Sequence, residues 1–140
     1  MRLSRKAAAF IRAARVAHLA TAGRNGEPLV VPICFVFDGK HFFTPIDEKP
    51  KRTAPAKLRR VTNIRESPRV CLVIDRYEED WRNLAYVLIA GKARVSVSGR
   101  YHARAVALLR RKYPQYRNMM LENRPVIMIK PMRISTWGKV

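Results

Sequence analysis

Apolar residues recur along this chain with two different periods, and the switches between them mark its elements. Near-continuous or alternating apolar runs at 15–21, 29–37, 41–44, 70–75, 84–97 and 125–136 predict six strands. Helical spacing predicts an amphipathic helix over 4–15, with Ala8, Ile11 and Ala14 inward. A second helix over 101–113 carries Ala105, Leu108, Leu109 and Tyr113 on one side and ends at Pro114, and a short one follows over 115–122. Gly23-Arg24-Asn25-Gly26 and Asp38-Gly39 are hairpin turns. Pro32 within the second predicted strand implies an edge, a bulge or a missing ladder bond. Gly91 within the fifth marks a bulge or a close backbone approach.

Between the third and fourth strands lies the stretch 44–69, TPIDEKPKRTAPAKLRRVTNIRESPR, which carries eight Lys or Arg from Lys49 to Arg69 against the single acid Glu66. Its second half predicts a helix that Thr53 caps, Pro55 begins and Ser67-Pro68 stops. Ala54, Leu58, Val61 and Ile64 would face a core, and Lys57, Arg60 and Asn63 form a row along one border of that stripe. A cationic row beside a buried face suits a bound phosphate. The plain alternative is a solvated basic helix.

Six strands joined mostly by hairpins argue against a parallel doubly wound sheet. They predict one mainly β domain, a six-stranded antiparallel split barrel with flanking helices. Such a small barrel has more apolar strand face than it can enclose, which predicts a homodimer.

Composition sharpens this picture only in part. The chain has 140 residues, 48% of them apolar, and Lys+Arg 29 against Asp+Glu 10 gives a formal net charge of +19. That balance fits nucleic acid, an acidic membrane surface or an anionic small molecule alike. No apolar window of about 18 residues exists, so no spanning helix is expected. The N-terminal basic residues are scattered rather than gathered before an apolar segment, which argues against a signal peptide and for a cytoplasmic protein. Cys34 and Cys71 read as two small buried thiols, with a cross-strand disulfide as the alternative. His18, His41 and His102 lack metal-ligand spacing, and no metal site is expected.

No arrangement for side-chain catalysis is visible: the chain lacks GxSxG, HExxH, a Walker loop and a Cys–His pair. Asp47 and Glu48 read as solvated loop acids, as do Asp75, Glu78, Glu79 and Asp80. Tyr77 and Trp81 could stack on a flat ring; Tyr86 and Trp137 could do so or could pack in a core or interface. Any chemistry would therefore belong to a bound cofactor.

Three segments carry a family resemblance: RVAHLATAGRNGEPLVVPICFVFDGKHFFTPIDEKPK, LRRVTNIRESPRVCLVID and DWRNLAYVLIAGKARV, together most of 15–97. The chain resembles the pyridoxamine-phosphate-oxidase-like, FMN-binding split-barrel family. The phrase from Pro45 to Pro50, with Asp80-Trp81, resembles its branch that uses the deazaflavin coenzyme F420. The resemblance implies a homodimer with two cofactor sites at its interface. It places Arg60 and Asn63 at the phosphate, with Lys49, Lys51 and Lys57 as further contacts. Val31, Pro32, Ile33 and Cys34 would run along the ring, Thr44, Ile46 and Asp47 would line the ring or ribityl chain, and Trp81 would close the site across the dimer. Many family members have Lys where Arg60 stands, and an arginine can hold a phosphate with two parallel bonds. The substrate-phosphate residues of the true pyridoxamine-phosphate oxidases are absent from recognisable positions.

The expected function is thus F420-dependent hydride transfer to or from a small organic substrate. FMN is the alternative cofactor on the same barrel, and a non-catalytic cofactor- or nucleic-acid-binding module is the second alternative. Nucleic acid is disfavoured because Phe35, Phe37, Phe42 and Phe43 sit in apolar strands, away from the basic helix.

Overall fold

A computed structural model describes residues 2–47 and 58–140. The predicted cap Thr53, the first-turn Pro55, Ala54 and the cations Lys49, Lys51 and Lys57 lie outside them.

The chain opens with α1 (Arg5–Ala13), capped by the Ser4 hydroxyl, which accepts the Ala7 N–H at 3.0 Å. Its buried pair is Ala7 and Ile11, one position off the expected Ala8 face. Seven strands follow where six were expected: β1 (Ala17–Ala22), β2 (Pro28–Ile33), β3 (Val36–Phe37), β4 (Phe42–Pro45), β5 (Arg69–Arg76), β6 (Ala85–Ser96) and β7 (Val126–Gly138). They form one antiparallel sheet in the order β2-β1-β5-β6-β7-β4-β3.

The extra strand arises because the expected 29–37 run breaks in two. β2 and β3 are consecutive in the chain yet stand at opposite ends of the sheet, so the sheet curls until one continuous run supplies both edges. That is the split barrel. The break falls at Cys34–Phe35 rather than at Pro32, which stays within β2 opposite His18. β2 is an edge strand, where a residue without an N–H is tolerated. Backbone groups freed at the corner find side chains from beyond the barrel. The Phe35 N–H donates to the Tyr113 hydroxyl at 3.0 Å, and the Phe35 carbonyl accepts from Lys112 Nζ at 3.0 Å.

Two apolar clusters fill the molecule. Leu19, Phe35, Phe42, Ile46, Leu72, Ile74, Ile89 and Ile127 belong to the barrel interior. The second cluster gathers Phe43, Leu109, Tyr113, Tyr116, Leu121 and Val126 around α3 (Arg100–Lys112) and the 3-10 turn Pro114–Asn118. β4 is buried along its whole length because α3 covers its outer face. Gly91 marks a bulge as expected. The β6–β7 register slips there, pairing Ala90 with Arg133 but Gly91 with Pro131, which also accommodates the proline.

Candidate functional site

The helix in the basic stretch, α2 (Arg59–Glu66), begins where Leu58 leaves extended backbone and ends at Ser67, as Ser67-Pro68 predicted. Val61 and Ile64 face the barrel core. Asn63 is buried too, and its amide donates to the Thr21 hydroxyl at 3.1 Å, tying α2 to β1. Gly23 leaves room beside it: a Cβ there would come within 2.9 Å of Asn63 Oδ1 and of Glu66 Oε1, so those side chains would have to shift.

Arg60, one turn before Asn63, is half-buried, and its Nε–H is buried with no hydrogen-bond partner among the described residues. Burial pulls its pKa below the usual guanidinium value, while the charge of Asp47 acts in the opposite direction. Asp47 was expected to be a solvated acid. It is instead 4% exposed and accepts a 2.8 Å hydrogen bond from the Tyr116 hydroxyl. Burial and this carboxylate push the Tyr116 phenol well above its usual range. Arg124 fixes the backbone below: its Nε and Nη2 donate to the Ile46 and Asp47 carbonyls, each at 2.7 Å. The Ile46 N–H in turn donates to the Pro125 carbonyl at 3.0 Å.

The end of β4 and the start of α2 thus face each other through a carboxylate and a partly buried guanidinium. The guanidinium still has donor capacity, so the arrangement can hold an anion. A buried N–H without a partner costs free energy, on the order of 1–3 kcal/mol, that an accepting ligand oxygen would recover. A phosphate fits it, because a planar guanidinium matches two phosphate oxygens at once.

Of the expected site residues, Thr44, Ile46 and Asp47 lie together at the end of β4, and Arg60 and Asn63 on α2. The Ile33 and Ile46 side chains fill the barrel core, so only their backbones could meet a ring. Val31 is half-buried opposite Leu19, Pro32 is exposed and Cys34 is half-buried beside the second cluster. Trp81 stands 71% exposed on the turn between β5 and β6. A hollow of about 440 Å³ opens between the β1–β2 turn and α2, but Arg24 and Arg59 there are matched by Glu27 and Glu66. Its charge is balanced.

Two further expectations need correction. Both cysteines are free, but Cys71 is exposed on the outer face of β5 rather than buried, because the strand alternates and Val70 and Leu72 take the core side. Tyr116 and Arg124 were not anticipated as site residues. No local pattern points at them, since their partners lie 69 and 77 positions away. Among the described residues no group of three or more His, Cys, Asp or Glu could hold a metal. The acids after β5 are engaged locally: Asp80 pairs with Arg82, Glu78 accepts from Asn83, and Tyr77 donates to Glu79. Among the described residues no helix is long and apolar enough to cross a membrane.

The fold is shared with proteins of different kinds. A conserved hypothetical protein of Mycobacterium tuberculosis superposes with a TM-score of 0.78 at 21% identity, over 99% of this chain and 86% of that one. The heme storage protein HutZ of Vibrio cholerae gives 0.73 at 16% identity, over 99% and 96%. An F420 reductase gives 0.64 at 17%, over 91% and 94%. At these identities the likeness establishes the fold alone, and no curated protein matches the sequence closely. A sequence match to the family described as pyridoxamine 5'-phosphate oxidase runs from residue 3 to residue 138, nearly the whole chain. The chain therefore belongs to the pyridoxamine 5'-phosphate oxidase family.

Proposed function

We propose that this protein is an oxidoreductase that holds a flavin-type cofactor by its phosphate at Arg60 and works with the deazaflavin F420 on a small organic substrate. The observation that carries the reading is the half-buried Arg60 guanidinium, whose Nε–H has no partner among the described residues, beside the buried Asp47. Flavins such as FMN are typical cofactors of the family, and the F420 reductase on the same fold supports the deazaflavin. When bound, the deazaflavin supplies the hydride.

The chain's own residues supply position and charge. Arg60 would grip the phosphate while Asp47, fixed by Tyr116 and Arg124, keeps the guanidinium aimed. The backbone of Thr44–Asp47 and the edge strand at Val31–Cys34 would border the ring, and Asn63 would brace α2 from behind. Lys49, Lys51 and Lys57 would add cations for an anionic tail, and a second copy would bring Trp81 across the site. Hydride transfer between stacked rings needs positioning and exclusion of water more than acid–base help.

The test is anaerobic titration of the apo protein with F420, FMN and hemin. Hemin is included because heme proteins share the fold. Tightest binding of F420, weakening as salt rises, supports the proposal. Tightest binding of FMN would keep the phosphate site and replace the hydride donor, and tightest binding of hemin would remove both.

A further inference from the structure

We infer that a second face of this protein, separate from the α2 site, binds single-stranded nucleic acid along a row of cations that crosses the sheet.

Strand register puts Arg69 directly opposite Lys92, and Lys92 directly opposite Lys130, so three like charges share one face of three neighbouring strands. All three are exposed. Like charges directly opposite one another destabilise a sheet. Here no ion pair with a described residue relieves them. Neighbouring strands are about 4.8 Å apart, so the row spans about 10 Å from Arg69 to Lys130. The β4–β7 pairing then carries it further: Phe42 opposes Ile129, and one step beyond, His41 comes beside Lys130.

His41 and Tyr101 meet edge to face at 5.6 Å and 71°. Two adjoining hollows share this pair. One, of about 300 Å³, includes Lys92, Arg94 and Lys130 in its lining, and the other, of about 620 Å³, includes Arg100 and Arg104. The Arg94 and Arg100 guanidinium carbons lie 5.7 and 5.4 Å from the Tyr101 ring centroid. Asp38, the one acid in these linings, is already bound by Arg104 at 3.1 Å and by the Lys40 and His41 N–H groups.

An aromatic pair flanked by Lys92, Arg94, Arg100 and Lys130, none of them ion-paired with a described residue, matches bases that stack while successive phosphates meet Lys and Arg. The row is too long for one phosphate, and a base inside a duplex could not reach the rings. The sequence argued against nucleic acid because its phenylalanines lie in apolar strands. Those residues are buried, whereas Tyr101 and His41, distant in sequence, are only half-buried and stand among the cations.

The experiment measures fluorescence anisotropy of a labelled 20-nucleotide oligothymidylate across a salt series. The proteins are wild type, a row variant (Lys92→Gln, Arg94→Gln, Lys130→Gln) and a control of equal charge (Arg5→Gln, Lys6→Gln, Arg111→Gln). The row variant should lose about tenfold or more in affinity, and its salt slope should shrink by about 2, for three phosphate contacts at about 0.7 each. The control should stay within about twofold of wild type. Tyr101→Leu should weaken binding at every salt concentration without changing the slope. Equal losses in the two triple variants would overturn the inference, because net charge alone would then explain binding. So would an unaffected row variant, or binding to phosphatidylserine vesicles with none to the oligonucleotide.

Discussion

Tyr116 and Asp47, 69 positions apart in the chain, are joined by a buried 2.8 Å hydrogen bond from phenol to carboxylate. The bond links the turn after α3 to the end of β4, and so places Asp47 where its charge acts on Arg60. Tyr116→Phe should cost about 1.5–3 kcal/mol of stability, the usual loss for a buried hydrogen bond to a charged group. Urea denaturation checks this. A midpoint equal to wild type would show that the bond contributes nothing.

Gly91→Ala should destabilise the fold by about 1–3 kcal/mol, the range for overpacking. A Cβ at this position would stand 2.6 Å from the Lys130 carbonyl oxygen, and backbone cannot swing aside as a side chain can. Thermal unfolding of this variant beside Ala90→Gly separates the clash from a general effect on β6. Equal stability of Gly91→Ala and wild type would mean that the bulge relaxes freely.

Lys112 gives the protein a pH signature. Its Nζ sits 3.0 Å from the Phe35 carbonyl and 4.0 Å from the Phe35 ring centroid. Burial, then the nearby Arg15 charge, brings its pKa down to about 8. The folded protein sheds this proton before the unfolded chain does, whose lysine titrates near about 10.4. Fewer protons bound in the folded state means that stability rises with pH from about 8 towards about 10. Above that, Tyr113 and Tyr116, both pushed up chiefly by burial, hold protons that the unfolded chain loses, and stability falls. Between pH 7.5 and 9.5 the wild-type urea midpoint should climb relative to Lys112→Met. Parallel profiles for the two proteins would contradict this.

Much of the fold was legible because periodicity reports local burial. The strands around Leu72, Ile89 and Ile127 alternate or run apolar as their covered faces demand, and the turns at Asn25-Gly26 and Asp38-Gly39 carry their own chemistry. The corner at Cys34–Phe35 was not legible, since nothing local separates it from the strand around it. The hydroxyl of Tyr113 and the amine of Lys112 make that corner possible from almost 80 positions away. Of the edge, bulge or missing bond that Pro32 implied, the structure has the edge, where a proline interrupts nothing. In the site, Arg60 could be read from helical spacing beside Val61 and Ile64. The burial of Asp47 could not, because it depends on Tyr116 and Arg124, which arrive through tertiary packing.

The Tyr86–Trp137 end of the outer sheet face, beyond the Arg69–Lys92–Lys130 row, should join two copies. Tyr86 and Trp137 stack at 5.6 Å on that face, 38% and 51% exposed, and Leu88 beside Tyr86's strand position is 39% exposed. A stable pairing needs about 1,200–2,000 Å² in total, and a central charge should undo it. Leu88→Lys should convert a dimer to a folded monomer in sedimentation velocity at micromolar concentration. A wild type that sediments as a monomer would refute the pairing.

The central claim is that Arg60 holds a phosphate, and the most direct measurement compares ligands that differ only in that group. FMN and riboflavin should be titrated into wild type and Arg60→Ala, with urea midpoints taken alongside. Wild type should prefer FMN by roughly ten- to hundredfold, the worth of a charge-assisted contact of about 1.5–3 kcal/mol. In Arg60→Ala that preference should collapse while riboflavin affinity and folding change little. If Arg60→Ala keeps the full preference for FMN, the phosphate is held elsewhere and the account fails.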